Sequence, residues 1–164
     1  MPVTTISAAD ALTRLDGFDT IIDARSESEY AEDRIPGALN WPSLHDAERV
    51  LVGTQYRQES AFDAKKRGAA LVARNIAAHI ERDVMAMPKG WSPLVYCWRG
   101  GKRSGALALV LGEIGFRVQV LDGGYREYRR AVLAELDALP GHFDFRVVCG
   151  PTGSGKSRLL QALA

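Results

Sequence analysis

Short apolar runs alternate along this chain with longer segments in which apolar residues recur every three or four positions. The short runs predict buried strands, because they have strand length and end in polar or glycine residues; they cover residues 20–23, 39–41, 94–97, 117–121 and 143–149. The longer segments predict helices over residues 7–15, 27–33, 60–87, 104–114 and 125–139. This alternation predicts an α/β fold in which a parallel sheet is flanked by helices on both faces.

Individual residues mark the expected helix ends. Ser7, with Asp10 three residues later, resembles a capping box at the start of the first helix. Gly115 and Pro140 are expected to end the helices that precede them. Gly68 falls inside the longest helical segment, which it is expected to interrupt or bend.

The composition is typical of a soluble globular protein, with 46% hydrophobic and 25% charged residues among 164. No apolar run approaches the ~20 residues that span a bilayer, and the first residues lack the features of a secretory signal. We therefore expect a cytoplasmic protein with no membrane attachment. Cys97 and Cys149 are expected to stay reduced there, although the sequence alone leaves a disulfide between them open.

Charge is distributed unevenly, although the formal net charge is only +1. Residues 1–50 carry four arginines and ten acidic residues, whereas residues 98–130 carry seven basic and three acidic residues. The basic segment surrounds Cys97 and suits an anionic substrate or a polyanion; an ordinary solvated surface explains it equally well. The three histidines have no metal-ligand spacing, so no metal site is predicted.

Cys97 lies between a predicted strand and a predicted helix, at the start of a loop rich in glycine and basic residues. Backbone N–H groups and the helix dipole at such a position stabilise the thiolate, which is the nucleophilic form of cysteine. The glycines allow the backbone to curl around the sulfur. The residues expected to bind an anion are Trp98, Arg99, Gly100, Gly101, Lys102 and Arg103. The alternative is a buried, unreactive cysteine at a strand end.

Three side chains near this loop have two interpretations each. Asp23 and Arg25 follow the predicted strand at residues 20–23, at the sheet edge where α/β proteins bind ligands. They either line the Cys97 pocket or form a structural ion pair. Trp98 either stacks on a base or a prenyl chain, or packs on the surface of the domain.

Residues 150–157 match the pattern G-x-x-x-x-G-K-[ST] without a mismatch. They follow the predicted strand at 143–149 and precede a predicted helix start, which is the context of a phosphate-binding P-loop. The backbone N–H groups would surround phosphates, the lysine would contact their oxygens and the final hydroxyl would meet Mg²⁺. The predicted phosphate-binding residues are Gly150, Gly153, Ser154, Gly155, Lys156 and Ser157.

Three separate segments resemble signatures of rhodanese domains. Residues 23–40 resemble the front signature, the Cys97 loop resembles the active-site loop, and residues 121–128 resemble the closing signature. The resemblance implies a rhodanese domain over residues 1–140, followed at 141–164 by the first strand, the Walker A motif and the helix start of a truncated P-loop domain. This arrangement is similar to that of the tRNA 2-selenouridine synthase family. Residues 48–58 also resemble the insert that this family has between its rhodanese strands.

The resemblance implies a transferase that replaces sulfur by selenium in the wobble 2-thiouridine of tRNA, with Cys97 as nucleophile and chalcogen carrier. Selenophosphate would be the selenium donor, and geranyl diphosphate would geranylate the thiouridine as an intermediate step. The implied partners are the anticodon region of tRNA and an enzyme that produces selenophosphate; no tightly bound cofactor is implied. Because the chain ends soon after the P-loop, we expect a fragment, with nucleotide or diphosphate bound there only in a full-length protein.

Other functions stay open at this stage. Cys97 and Arg103 have the Cys-x5-Arg spacing of cysteine-dependent phosphatases, some of which are built on the rhodanese fold. No general-acid aspartate follows in the loop, and a P-loop fusion is foreign to phosphatases. A thiosulfate or persulfide sulfurtransferase would also use Cys97. A non-catalytic rhodanese-like binding module would not require an intact cysteine loop.

Overall fold

The structure is a computed structural model that describes residues 3–163 as two compact units, one ending at Leu133 and the other beginning at Ala134. The first unit contains a five-stranded sheet in the order β1-β5-β4-β2-β3, in which each neighbouring pair is parallel. The strands are β1 (Thr4–Ile6), β2 (Thr20–Asp23), β3 (Leu39–Asn40), β4 (Pro93–Tyr96) and β5 (Gln119–Leu121).

Seven α-helices lie within the described residues. They are α1 (Ala8–Leu12), α2 (Glu27–Glu32), α3 (Asp46–Gln58), α4 (Ala61–His79), α5 (Lys102–Ile114), α6 (Gly124–Ala138) and α7 (Lys156–Leu163). Short 3-10 turns cover Leu15–Gly17 and Leu139–His142, and a π-helical turn over Ile80–Val84 continues α4. The predicted N-cap is confirmed, because the Ser7 hydroxyl accepts from the Asp10 amide at 3.1 Å.

Successive side chains of the strands pack into two cores on opposite faces of the sheet. In β4, Val95 belongs to one core and Leu94 to the other, and both are fully buried. The first core is completed by α4 (Ile76) and α5 (Leu111), and the second by α6 (Tyr125), among others. A strand buried on both faces reads as a continuous apolar run, and the predicted parallel sheet with helices on both faces is confirmed.

The parallel register brings the carboxyl ends of three strands to one edge of the sheet. Asp23 at the end of β2 is opposite Tyr96 at the end of β4, and Val95 is opposite Val120 of β5. The loops that follow these strands therefore begin side by side. Cys97 is the first residue after β4 and lies at this edge.

Two elements were not predicted from the sequence pattern. Strand β1 has only three residues and pairs with β5 alone at the edge of the sheet, so it is too short to show a period. Helix α3 exposes apolar side chains, with Val50 at 68% and Leu51 at 47% exposure. Its apolar residues therefore do not form one stripe that marks a buried face.

Gly68 was expected to interrupt or bend its helix. It does not interrupt the helix, because α4 is continuous from Ala61 to His79. Gly68 is buried where α4 packs against α3, and a Cβ added there would lie 3.4 Å from a methyl group of Val52. The glycine permits close approach of two helices, and that contact offsets its low helix propensity.

The predicted strand at residues 143–149 is also wrong. This segment has no regular secondary structure after the 3-10 turn at Leu139–His142, and Phe145 and Val147 are 71% and 81% exposed. A strand requires a neighbour to satisfy its backbone groups, and within residues 3–163 the sheet ends at β1 and β3 without pairing to this segment. The segment does have the apolar pattern of a strand, but none of the described strands pairs with it.

The loop after β4 and the turn after β5 pack backbone against backbone. The amide of Tyr125 donates to the carbonyl of Cys97 at 2.8 Å, and the amide of Arg126 donates to the carbonyl of Trp98 at 3.2 Å. Gly100 and Gly124 meet at this contact, both with positive φ, of 62° and 63°. A Cβ on Gly124 would lie 2.3 Å from the Cys97 carbonyl oxygen, so only glycine fits.

We predict that Gly124→Ala lowers the free energy of unfolding by about 2–4 kcal/mol, because it combines a strained φ with a backbone clash. Urea denaturation measures the change. Gly105→Ala in α5 is the matched control, since a Cβ there has no atom within 4 Å, and alanine in a helix should stabilise by up to about 1 kcal/mol. Equal stability of the parent protein and Gly124→Ala would contradict this account of the loop.

Candidate active site

Cys97 lies at the carboxyl edge of the sheet, between the end of β4 and the start of α5. Its Sγ accepts a hydrogen bond from the Gly101 amide at 3.3 Å and from the Ser104 hydroxyl at 3.2 Å. The Ser104 hydroxyl also lies 3.2 Å from the Gly101 carbonyl. Because it has one proton, it donates to only one of these acceptors at a time, and a thiolate is the stronger of the two.

The surroundings of Cys97 favour the ionised sulfur. Burial by itself would raise the pKa of the thiol, but hydrogen bonds from Ser104 and from the loop amides of Gly101 and Arg99 outweigh burial and lower the pKa below its ordinary value. The sequence predicted the amide donors from the strand–loop–helix position. It did not single out the Ser104 hydroxyl, although a serine in the first turn of the following helix was visible.

Cys97 retains only 3% of its surface. The catalytic hypothesis needs a sulfur that a reagent can reach, and such burial favours small donors over large ones. The thiol is free, as is the exposed Cys149.

Arg103 was expected to neutralise an anion at the loop, but its guanidinium already has a partner. It forms a two-point ion pair with the Glu29 carboxylate, at 2.5 Å and 3.2 Å. Burial alone would raise the pKa of Glu29, and the hydrogen bonds and charge of Arg103 instead lower it to about 2. Arg99 and Lys102 are exposed and have no ion-pair partner among residues 3–163, so they are the cations of this loop that can meet an incoming anion.

Asp23 and Arg25 form a buried ion pair next to the loop. Their side chains are 0% and 1% exposed, and the shortest of their contacts is 2.7 Å. The Arg25 guanidinium also donates to the carbonyl of Asp33 at 2.5 Å and lies 4.2 Å from the centre of the Tyr125 ring. Of the two interpretations, the structure places these residues in the ion pair, and Arg25 in addition lines a cleft beside Trp98.

Trp98 is 40% exposed, in contrast to the other two tryptophans, which are 3% exposed. Its ring lies 6.0 Å from the Tyr125 ring at an interplanar angle of 32° and 6.0 Å from the Arg25 guanidinium. The indole is therefore supported from within the protein and keeps part of its surface open. Trp98 therefore fits both interpretations, because one part of its ring packs on the domain surface and another part is open for stacking.

The structure also contains an apolar groove that the sequence did not reveal. It has a volume of about 370 Å³ and lies among residues of α3, α4 and α5. Its apolar lining includes Leu44, Val52, Tyr56, Val72 and Ala106, and its charged lining comprises Lys65, Lys102 and Arg103. Since Lys102 and Arg103 belong to the Cys97 loop and the start of α5, the groove adjoins the thiol site.

The predicted phosphate-binding loop belongs to the second unit, where α7 begins at Lys156. Gly150, Gly153 and Gly155 have positive φ values of 157°, 83° and 82°, as a loop that turns its amides inward requires. The Lys156 ammonium donates to the carbonyls of Gly150 and Pro151 at 2.9 Å and 2.8 Å. Ser154 and Ser157 are exposed. Within the second unit, the loop therefore carries Gly150, Gly153, Ser154 and Gly155, and α7 begins with Lys156 and Ser157.

The described residues contain neither a group of metal-ligating side chains nor a membrane-spanning helix. Over residues 3–163 no three His, Cys, Asp or Glu side chains are grouped so that they could hold a metal ion. Over the same residues no helix has the length and apolar character needed to cross a membrane.

A model of the rhodanese-like domain matches residues 7–131. The tRNA 2-selenouridine synthase of Nitrosomonas europaea is 35% identical over 94% of this chain, and that of Sulfurovum sp. is 35% identical over 87%. The chain spans only 41% and 40% of the length of these two relatives.

Two solved structures have a similar fold. The N-terminal domain of a Clostridium difficile 630 protein named for ATP or GTP binding is 33% identical, with a TM-score of 0.65 over 79% of this chain and 99% of that one. A rhodanese-related protein of Thermoplasma volcanium is 16% identical, with a TM-score of 0.51 over 77% of this chain and 91% of that one, and therefore shares the fold.

We predict that Ser104→Ala raises the pKa of Cys97 and slows its alkylation by iodoacetamide at pH 7 roughly tenfold, because the thiolate loses its hydroxyl donor. Peptide mass spectrometry over a range of pH measures the rate at Cys97, with exposed Cys149 as an internal reference. Ser92→Ala is the matched control, since that hydroxyl donates to the Arg117 carbonyl. Identical rate–pH profiles for Cys97 in all three proteins would refute the assigned role.

We predict that the Glu29–Arg103 pair makes stability depend on acid pH. The pKa of Glu29 is depressed from 4.5 to about 2 in the folded protein, so the pair stabilises the fold above pH 4.5 and this contribution is lost as the pH falls toward 2. The difference in unfolding free energy between the parent protein and Glu29→Gln should therefore narrow from pH 7 to pH 2.5 in urea titrations.

The control for this measurement is Glu113→Gln, because Glu113 is exposed on α5 and forms no ion pair with any residue between 3 and 163. It removes a carboxylate without breaking an ion pair and so serves as the baseline. A difference for Glu29→Gln that changes with pH no more than that of Glu113→Gln would show that the Glu29 carboxylate is not held by Arg103.

Proposed function

Because this chain belongs to the rhodanese-like domain family, we propose that it is a transferase that carries sulfur or selenium on Cys97. The observation that carries the proposal is the pair of donors on the Cys97 sulfur, from Gly101 and Ser104. A structural cysteine in a core requires neither. The donors favour a thiolate, and a thiolate is the form that attacks a chalcogen donor.

The loading step can be written for thiosulfate. The Cys97 thiolate attacks the outer sulfur of thiosulfate and forms a new S–S bond, while the S–S bond of thiosulfate breaks. Sulfite leaves with the electron pair of the broken bond, and Cys97 is left as a persulfide anion. The loop donors that stabilise the thiolate are placed to stabilise this anion as well.

We further propose that the reaction is the one for which these curated relatives are named, tRNA 2-selenouridine synthesis, and that tRNA is bound through its anticodon region. Selenophosphate is the proposed selenium donor, supplied by the enzyme that produces it, and the reaction is proposed to take place in the cytoplasm. Arg99 and Lys102 support an anionic donor, since they are exposed and unpaired within residues 3–163.

Geranyl diphosphate is proposed as a second co-substrate, used to geranylate the thiouridine as an intermediate. The apolar groove beside the Cys97 loop supports this part of the proposal. An isoprenoid chain needs apolar walls, which Val52, Tyr56 and Val72 supply, and a diphosphate needs cations, which Lys65 and Lys102 supply.

Residues 1–140 are proposed as the rhodanese domain and residues 141–164 as the beginning of a P-loop domain that binds a nucleotide or diphosphate. The positive φ values of its glycines support this assignment. The carbonyl contacts of Lys156 are compatible with it, because an arriving phosphate would replace them with stronger, charge-assisted hydrogen bonds.

A cysteine-dependent phosphatase is the competing function, and Arg103 weighs against it. In that mechanism the arginine of Cys-x5-Arg has to hold phosphate oxygens beside the sulfur. Here Glu29 occupies both ends of the Arg103 guanidinium, so phosphate binding would first have to break a half-buried, two-point ion pair.

We predict that Cys97→Ser abolishes chalcogen loading while the protein remains folded, because serine keeps the shape of the side chain and loses the nucleophilic sulfur. Intact-mass spectrometry after incubation with thiosulfate, and separately with selenophosphate, should show an added sulfur or selenium on the parent protein only. Cys149→Ser is the matched control and should load normally. Chalcogen retained by Cys97→Ser would exclude Cys97 as the carrier, and rapid hydrolysis of a phosphate ester that depends on Arg103 would favour the phosphatase.

A further inference from the structure

A cleft of about 290 Å³ opens beside Trp98. It is distinct from the apolar groove, because the two share no lining residue. It lies wholly within the first unit and is formed by the start of the Cys97 loop, by α2 with the residue after it, and by α6. Six of its lining residues are Arg25, Glu32, Asp33, Trp98, Tyr125 and Arg129. Its volume is near the lower end of small-molecule sites, about 300 Å³, and suits one flat ring.

Trp98 gives this cleft an aromatic wall that is fixed in place. Its backbone carbonyl accepts from the Arg126 amide at 3.2 Å, and its ring is supported by Tyr125 and by the Arg25 guanidinium, each at 6.0 Å. Arg25 is itself held by Asp23. An indole that is 40% exposed and supported in this way is preorganised to stack on a planar ligand.

The polar lining can recognise the edge of a base. Asp33 is paired with Arg129 at 2.8 Å and receives the Tyr125 hydroxyl, whose pKa is raised to about 12 by burial and by this carboxylate. Glu32 is exposed and has no ion-pair partner within residues 3–163. A uracil-type ring presents one N–H donor between two acceptors. The Glu32 carboxylate can accept from this N–H, and the Arg129 guanidinium can donate to a neighbouring acceptor of the ring.

The charge balance of the cleft excludes a simple anion site. Both guanidiniums that line the cleft are already paired, Arg25 with Asp23 and Arg129 with Asp33. The lining carboxylate Glu32, in contrast, has no ion-pair partner within residues 3–163. The free cations of the neighbouring loop, Arg99 and Lys102, are not among the residues that line the cleft. A phosphate would therefore be attracted to the loop cations, while the cleft favours a neutral ring.

We propose that this cleft binds one unstacked pyrimidine base of the RNA substrate, with Trp98 as the stacking residue and Glu32 and Arg129 as the residues that contact the base edge. The proposal rests on the proposed function, since the relatives are named for a modified uridine of tRNA. Trp98 directly follows Cys97 in the chain, so the aromatic wall of the cleft begins one residue from the proposed chalcogen carrier. The base contacts of Glu32 and Arg129 are separate from loading, which uses the sulfur, its hydrogen-bond donors and the loop cations Arg99 and Lys102.

The test uses the whole chain and a short single-stranded RNA that contains one 2-thiouridine and carries a fluorescent label. Affinity is measured from the anisotropy of the label, and stacking is measured from tryptophan emission. Trp98 is the exposed one of the three tryptophans, so stacking on it should quench emission that Trp98→Phe removes. Trp98→Ala should bind the RNA roughly tenfold more weakly, whereas Trp98→Phe keeps an aromatic face and should bind within about threefold of the parent. The same RNA with an abasic site at the thiouridine should bind as weakly to the parent as the intact RNA binds to Trp98→Ala.

A second pair of variants tests the polar contacts. Glu32→Ala should weaken binding of the thiouridine RNA roughly fivefold through loss of a charged hydrogen-bond acceptor. Glu113→Ala, which removes an exposed carboxylate of α5 outside the cleft, should not. If Glu32→Ala and Glu113→Ala bind alike, the assignment of Glu32 is overturned.

Loading of Cys97 from thiosulfate separates failure of this proposal from failure of the proposed function. The parent preparation used for RNA binding is therefore also tested for loading. Unchanged RNA affinity in Trp98→Ala, with a parent protein that loads, would overturn the base site while the carrier function stands, whereas a parent protein that does not load would overturn the carrier function. Quenching by inorganic phosphate equal to that by RNA would also overturn the base site, because the cleft would then be an anion site.

Discussion

The contact between two backbone segments, the loop after β4 and the turn after β5, determines the geometry of the whole site. Parallel register makes the two strands end side by side, and Gly100 and Gly124 let their loops approach to a distance that no Cβ would allow. The carbonyls of Cys97 and Trp98 then receive amides from α6. With its carbonyls committed to α6, the loop directs the Gly101 amide at the sulfur, and the start of α5 brings the Ser104 hydroxyl to the same atom.

Buried ion pairs then decide which cations remain available. Arg25 is held by Asp23, and Arg103 is held by Glu29, so the two most buried guanidiniums near the thiol serve the structure. Separating either pair inside the protein would leave an uncompensated charge, which is costly. Reactions at Cys97 therefore depend on hydrogen bonds from the loop itself and on the exposed cations Arg99 and Lys102. This division of roles supports the proposed chalcogen carrier over an enzyme that holds a phosphoryl group in its loop.

The sequence predicted those features that arise within a short stretch of chain. The strand–loop–helix position of Cys97 is local, and so are the cap at Ser7 and the helix end at Gly115, where φ is 111°. It failed where the outcome depends on distant residues. Residues 143–149 have a strand pattern but no partner strand among the described elements, and the partner of Arg103 is 74 positions away. The cleft beside Trp98 combines three separate segments, so no single window of sequence contains it.

The near-complete enclosure of Cys97 has a consequence for the lifetime of whatever atom the sulfur carries. A persulfide or perselenide on an exposed cysteine is lost quickly to stray thiols and to oxidants in the surrounding solution. One held at the base of this loop is screened from both by the same atoms that stabilise its charge. The sulfur or selenium atom would therefore be transferred chiefly to an acceptor that fits the loop. The enclosure that restricts the donors would also limit loss of this atom to other molecules.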